Sequence, residues 1–404
     1  MIGSGIFLLP ASLAAYGGIS IVGWVVSAFG GLVLAKVFSE LGKKFPKTGG
    51  PYTFAKEGFG DFPAFLVAWG YWISITCTNA ALTVTMLSYL STFFPVLSSS
   101  PLVAIGTGLS VLWLLTLINC RGVKEAGWVQ LVTTILKLVP LFLVAIVGMF
   151  FVEMGHFEPF NLSGESNFSA IAITTTLTLF AFLGIESATI PADNIDNPTK
   201  TIPRATMIGT WVAIIAYILG SIAVMGMVPP EQLAVSEAPF ADAAAIIWGE
   251  SARNWVALGI VISTFGALNG WIMMQGQIPL AAAKDELFPK MFGKLSGNGM
   301  PVNGLVFSSI LISGLILMNY SKGLIKAFEF MILLSTLTCL VPYLFSSAAH
   351  SLFALRTGRK WNWIWGSIAF IFSMYAVVGS GEEIVFYGFL ALMAGIPFYV
   401  WIKR

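Results

Sequence analysis

Residues 1–10 read MIGSGIFLLP, and residues 180–188 read FAFLGIESA. Each places glycine beside a small polar residue inside an apolar run. A helix in lipid is expected to wind without interruption, because no water is there to take up a freed N–H or C=O. Glycine lets the backbone leave the helix without a steric penalty. Glycine-interrupted apolar segments at matching places in two halves of a chain are the best sequence pointer to a solute site between membrane helices. The glycines alone leave a second reading open, in which small residues simply let two helices approach closely.

The surrounding composition decides the solvent. Of 404 residues 57% are hydrophobic and 10% are charged, against about 25% charged in a soluble domain. Apolar segments recur near 1–14, 19–42, 62–92, 101–119, 126–152, 169–192, 204–228, 252–283, 302–319, 324–350, 361–379 and 384–402. These runs are too long and too continuously apolar for barrel strands, so they are expected to be helices. The whole chain reads as one polytopic membrane domain of twelve spans. The first segment gives only about 21 Å of helix against a hydrocarbon core of about 30 Å. Residues upstream of Met1 are expected to complete it. Cys77, Cys120 and Cys339 lie in or beside apolar runs and show no pairing pattern, so they read as small apolar fillers.

Lysine and arginine orient the spans. Sixteen of them fall on one set of alternate loops or at the C-terminus, and only Arg253, Lys322 and Lys326 fall on the other set. The opposite loops carry acids instead, among them Glu153, Glu231, Asp242 and Glu382. By the excess of positive charge the basic side is expected to be the cytoplasm. An even number of spans then puts both termini there, in the inner (plasma) membrane of a cell.

Four charges fall within or near spans: Lys36, Lys137, Glu186 and Glu329. An ionisable group at membrane depth is a functional candidate by default. Glu186, near mid-span beside Gly184 and Ser187, could respond to protons or be pinned by unwound backbone. Lys137 could pair inside the bundle or snorkel outward, and Lys36 is expected to snorkel. Glu329 is expected to form a surface pair with Lys326, three residues earlier. No phosphate-binding loop, zinc-protease motif or cluster of metal ligands is present, and His156 and His350 fall at opposite ends of the membrane. No cofactor, no metal and no enzymatic turnover are expected. No basic stretch interleaved with aromatics suggests a nucleic acid.

The stretches GSGIFLLPASLA (3–14), PKTGGPY (46–52), FLGIES (182–187) and DNPTKTIPRA (196–205) resemble the amino acid–polyamine–organocation transporters through essentially the whole chain. MGMVPPEQL (225–233), GWIMMQGQ (270–277) and LVPYL (340–344) bring the likeness to the bacterial basic amino acid/polyamine antiporters, the group of the arginine–agmatine antiporter. The resemblance implies an all-α membrane protein with a leucine-transporter-type fold. Residues 1–152 would form one inverted five-helix repeat and 169–355 the second, followed by two extra helices in 361–402. It implies a secondary amino acid/amine exchanger working by alternating access, embedded in the lipid bilayer. A homodimer is implied by analogy alone.

The resemblance also implies roles. Ser4 and Gly5 would hold a substrate carboxylate. Carbonyls near Met1, Phe180 and Leu183 would receive its amino group. Trp271 would stack on a cationic head, with Asn79 and Ser335 as polar contacts to the substrate side chain. Tyr71 would be an outer aromatic gate, Glu186 a proton-sensitive group below the site, and Lys137 a surrogate for sodium. Two departures stand out. Phe180 replaces a tryptophan of the arginine antiporter, and Lys137 is absent from it. The smaller Phe180 ring counts against arginine specificity, while Lys137 and the scarcity of intramembrane carboxylates weaken the case for a cationic substrate. A neutral amino acid permease, proton-coupled or sodium-independent, stands as the alternative. A channel or a non-transporting sensor is the alternative of another class.

Overall fold

The computed structural model describes residues 3, 5–122, 138–190, 192, 195–319, 323–358 and 362–404. Among the described residues every regular element is helical. The helices that matter for the site are α1 (Gly5–Ala14), α2 (Ile19–Lys44), α3 (Pro51–Phe59), α4 (Asp61–Leu90), α5 (Pro101–Arg121), α6 (Leu138–Phe151) and α7 (Asn167–Phe182). They continue as α8 (Pro198–Met227), α9 (Pro239–Trp248), α10 (Glu250–Lys284), α11 (Val302–Asn319), α12 (Leu324–Arg356) and α13 (Trp363–Val378). The last are α14 (Glu382–Met393) and α15 (Gly395–Lys403). Among the described residues eight helical segments are long and apolar enough to cross a membrane, and shorter apolar helices occupy the other expected spans. α3 and α9 were not anticipated. They are short, and each leads directly into a long helix, α4 or α10.

Two groups of helices pack within the bundle. α2 lies along α7 and α8, while α4 lies along α10 and α12, with α5 and α11 beside them. Small residues make the first group tight: a side chain on Gly23 would run into Thr174, and one on Gly30 into the Phe372 ring of α13. Thr178 Oγ1 of α7 donates to Ser27 Oγ of α2 at 2.9 Å. A hydrogen bond of this kind between membrane helices contributes about 0.6 kcal/mol on average.

α1 is ten residues long, all of them buried. It touches α4, α7, α8, α9 and α12. A helix apolar on every side belongs in the middle of a bundle, and α1 sits there between the two groups.

Polar ties collect the basic helix ends. Lys56 on α3 pairs with Asp285, just past α10, at 2.7 Å. Lys403 of α15 pairs with Asp61 of α4 at 2.7 Å. His350 Nε2 on α12 meets Glu40 Oε2 on α2 at 2.8 Å. Lys44, Lys47, Lys56 and Lys403 therefore gather at one end of the bundle, here called the basic end. At the other end Arg253 of α10 pairs with Asp242 of α9 at 2.9 Å.

Candidate functional site

The helix of the sixth apolar segment stops in mid-segment. α7 ends at Phe182, and Leu183 leaves the helix with φ −59° and ψ 137°. Gly184 follows at φ 99°, a backbone that a residue with a Cβ adopts only under strain. A short 3-10 turn, Ser187–Thr189, resumes the direction. Leu183 N–H donates to Phe180 O at 3.1 Å, and Ser187 Oγ to Gly184 O at 2.6 Å, so local groups partly satisfy the opened backbone. Gly49 N–H, from the PKTGGPY loop, donates to Ile190 O at 3.0 Å and braces the far side of the break.

The first segment meets the sixth at that point. A Cβ built on Gly5, the first residue of α1, would lie 2.9 Å from Phe180 Cδ1 and 3.5 Å from Ala181 Cα. The N-terminus of one short helix thus abuts the last turn before the break in the other. The first N–H groups of a helix and its last C=O groups lack partners within the helix. Here two such ends converge inside a buried bundle.

α4 gives the level. It starts at the basic end with Asp61. Tyr71 OH, about 15 Å along it, donates to Glu186 Oε1 at 2.6 Å. Tyr89 OH, about 27 Å further, donates to Phe7 O of α1 at 2.7 Å. The junction of the breaks lies between those two levels, and so do Ser74, Thr78 and Asn79.

Glu186 is fully buried. Its second oxygen, Oε2, accepts from Tyr343 OH of α12 at 2.6 Å. A carboxylate held by two hydroxyl donors ties α4, the broken segment and α12 together on the basic side of the junction. Protonating it would make one oxygen a donor, and one tyrosine would have to turn its hydroxyl round.

On the wall of α4, Ser335 Oγ of α12 lies 2.8 Å from Thr78 Oγ1 and 3.1 Å from Ser74 Oγ. Asn79 Nδ2 donates to Gln275 Oε1 of α10 at 2.7 Å, and Asn79 Oδ1 has no hydrogen-bond partner among the described residues. Trp271, one turn before Gln275 on α10, is half-buried. Phe180 meets Phe328 of α12 edge to face, with centroids 6.1 Å apart.

The structure therefore brings Gly5, Phe180 and Leu183 to one junction. It places Asn79, Ser335 and Trp271 on the helices that wall it, and sets Glu186 next to it. Met1, Ser4 and Lys137 lie outside the described residues. Tyr71 and Glu186, expected on opposite sides of the site, share a hydrogen bond. Tyr71 stands on the basic side because α4 rises from that end and the residue comes early in it. Glu329 forms no ion pair with Lys326 among the described residues. It is half-buried, and Lys326 acts on it only at longer range. Lys36 reaches towards the basic end as expected, 3.4 Å from Glu40 and over the Trp365 ring.

Two residues escaped the sequence reading, Tyr343 and Gln275. Both sit inside quoted motifs, LVPYL and GWIMMQGQ. A hydroxyl or amide in an otherwise apolar helix is a signal, because it must find a partner there.

The sequence profile of the family described as "Amino acid permease" matches residues 1–398. The chain belongs to that family. This permease is 37% identical over 360 residues to the cadaverine/lysine antiporter of Escherichia coli strain K12, covering 86% of this chain and 79% of that protein. It is 32% identical to the putrescine transporter PotE of Haemophilus influenzae, over 100% of this chain and 94% of the other. With PotE of Escherichia coli strain K12 it shares 31% identity over 99% and 92%. It is a multi-pass membrane carrier for amino acids or amines, a transporter and not an enzyme. Its affinity to basic amino acid/polyamine antiporters is what the motifs implied.

Proposed function

We propose that this permease exchanges a basic amino acid, of the lysine or ornithine type, for a diamine by alternating access across the inner membrane of a bacterial cell. The observation that carries this reading is the junction of Gly5 with Phe180. An α-carboxylate suits the N-terminus of α1, where unpaired N–H groups and the positive end of the helix dipole converge. An ammonium group suits the C-terminal end of α7, where carbonyls come free. A carbonyl such as that of Phe180, already accepting from Leu183, keeps a second lone pair for it. The basic end is the cytoplasmic side, with both termini there.

The side chain of the substrate extends between α4, α10 and α12. The Trp271 ring offers its face to a cation, and the Asn79 oxygen offers a hydrogen-bond acceptor. The relatives named for cadaverine, lysine and putrescine support a cationic substrate. Tyr71, Glu186 and Tyr343 close the cytoplasmic side beneath it, and Glu186 makes that closure sensitive to protons. Lys137 standing in for sodium rests on the resemblance alone.

The test is exchange in proteoliposomes loaded with lysine. Labelled lysine should enter one for one, cadaverine should compete, and excess leucine should not. Uptake into empty vesicles at the same rate would refute exchange. Leucine competing as well as lysine would replace this reading with a neutral amino acid carrier.

A further inference from the structure

We propose that Gln275 is a positioning residue: it decides which end of the Asn79 amide faces the substrate, and so makes that subsite an acceptor for N–H donors. The inference rests on the proposed function, because it takes the space beside Asn79 as the side-chain subsite.

The argument starts from a group that cannot change its role. The Leu305 carbonyl, in α11, can only accept. Gln275 Nε2 donates to it at 3.1 Å and to Ser309 Oγ at 2.9 Å. Ser309 Oγ, which also lies 2.9 Å from the Leu305 carbonyl and 2.7 Å from Thr116 Oγ1, accepts from Gln275 in this arrangement. Turning the Gln275 amide over would set its oxygen against the Leu305 carbonyl oxygen, and Leu305 can offer no hydrogen in return. Its Oε1 must therefore point the other way, towards α4. The only hydrogen bond of Asn79's side chain among the described residues is the 2.7 Å donation from Nδ2 to that oxygen. The Asn79 amide is oriented in turn, and its Oδ1 is left over.

That leftover oxygen points to a ligand. Asn79 is fully buried, and Oδ1 has no partner among the described residues. Buried acceptors are seldom left unpaired. Asn79 lies about 12 Å along α4 from Tyr71 and about 15 Å short of Tyr89, so it is level with the junction of the two breaks. It also follows Thr78, which touches Ser335. A substrate ammonium carries three donors and no acceptor. It can use Oδ1, whereas it would repel a reversed amide. Gln275 touches no substrate in this scheme. It acts through Asn79.

The experiment uses the full-length permease in proteoliposomes. Labelled lysine uptake is competed by unlabelled lysine and by norleucine, which has the same chain length without the ammonium group. Gln275→Met frees the Asn79 amide to turn. It should cut the preference for lysine over norleucine about tenfold, with norleucine affinity unchanged. Adding Asn79→Asp should restore the preference, since a carboxylate presents an acceptor whichever way it faces. If Gln275→Met does not fold, Gln275→Asn keeps an amide but draws it back by one methylene, and should show the same loss. The proposal is overturned if the preference is unchanged, if both affinities fall together, or if Asn79→Asp fails to restore it. A wild-type protein with no preference for lysine overturns the substrate reading itself, and this inference with it.

Discussion

Replacing Tyr343 by phenylalanine removes one of the two hydroxyls donated to Glu186 and keeps the ring that packs at 5.3 Å on Phe38. Glu186 is fully buried, so water does not replace the lost donor. A hydrogen bond to a charged group contributes about 1.5–3 kcal/mol. If the tie exists only while the basic end is closed, its loss favours opening by about ten- to a hundredfold, at 1.4 kcal/mol per decade. The protein carries its own reporter. Cys339 is one turn from Tyr343 on α12, buried, with Glu186, Tyr343 and Ser74 as its polar neighbours. With Cys77 and Cys120 changed to alanine it is the only thiol left. A membrane-impermeant maleimide added from the basic side should label Cys339 slowly in this background. In Tyr343→Phe it should label about tenfold faster or more. Tyr71→Phe should act in the same direction, because its hydroxyl serves the other oxygen of the same carboxylate. A labelling rate equal to that of the parent, or an equal increase from the opposite side, would refute the idea that these tyrosines hold the basic end shut.

Three further outcomes follow from the geometry. Gly5→Ala brings a Cβ to 2.9 Å from the Phe180 ring; overpacking of this kind costs about 1–3 kcal/mol. Substrate affinity measured by calorimetry should fall at least fivefold, and Phe180→Leu should recover part of it. Glu186→Gln should flatten the pH dependence of uptake, and a profile identical to wild type would remove Glu186 from proton sensing. Asp285, outside the membrane, is the third case. Partial burial raises its carboxyl, but the Lys56 ammonium and Tyr52 hydroxyl outweigh that and hold it below the ordinary carboxylate range. A depressed folded-state value adds stability above the unfolded value of about 3.9 and loses it as the pH falls through the folded one. Asp285→Asn should therefore lower the melting temperature slightly at neutral pH, for an exposed pair contributing about 0.2–1 kcal/mol. The difference should begin to shrink below about pH 4 and vanish only once the pH has passed below the lowered folded-state value.

How much was legible depends on which physical constraint each feature answers to. The break at Leu183–Gly184 was readable because few residues other than glycine can leave a helix in lipid with a positive φ. The place of Tyr71 was misjudged because a resemblance supplies a role but no depth. Its depth follows from where α4 begins. Tyr343 and Gln275 were printed in plain sight, yet nothing nearby in sequence marks them. Their partners are 157 and 196 residues away. Helical spacing put Glu329 beside Lys326, yet the two side chains form no ion pair, because spacing along a helix brings two side chains within reach without fixing their rotamers.

The amino-acid sequence alone settled the solvent, the spans and the family. Lipid demands that every backbone group be satisfied within the protein, and in a helical chain that demand leaves long apolar runs as a direct imprint, with segregated lysines marking the ends. Which polar groups face one another was settled only in three dimensions. A carboxylate between two tyrosines, or an amide aimed by a distant carbonyl, depends on helices remote in sequence meeting at one depth, and a hydrogen bond has no direction until both its partners are in place.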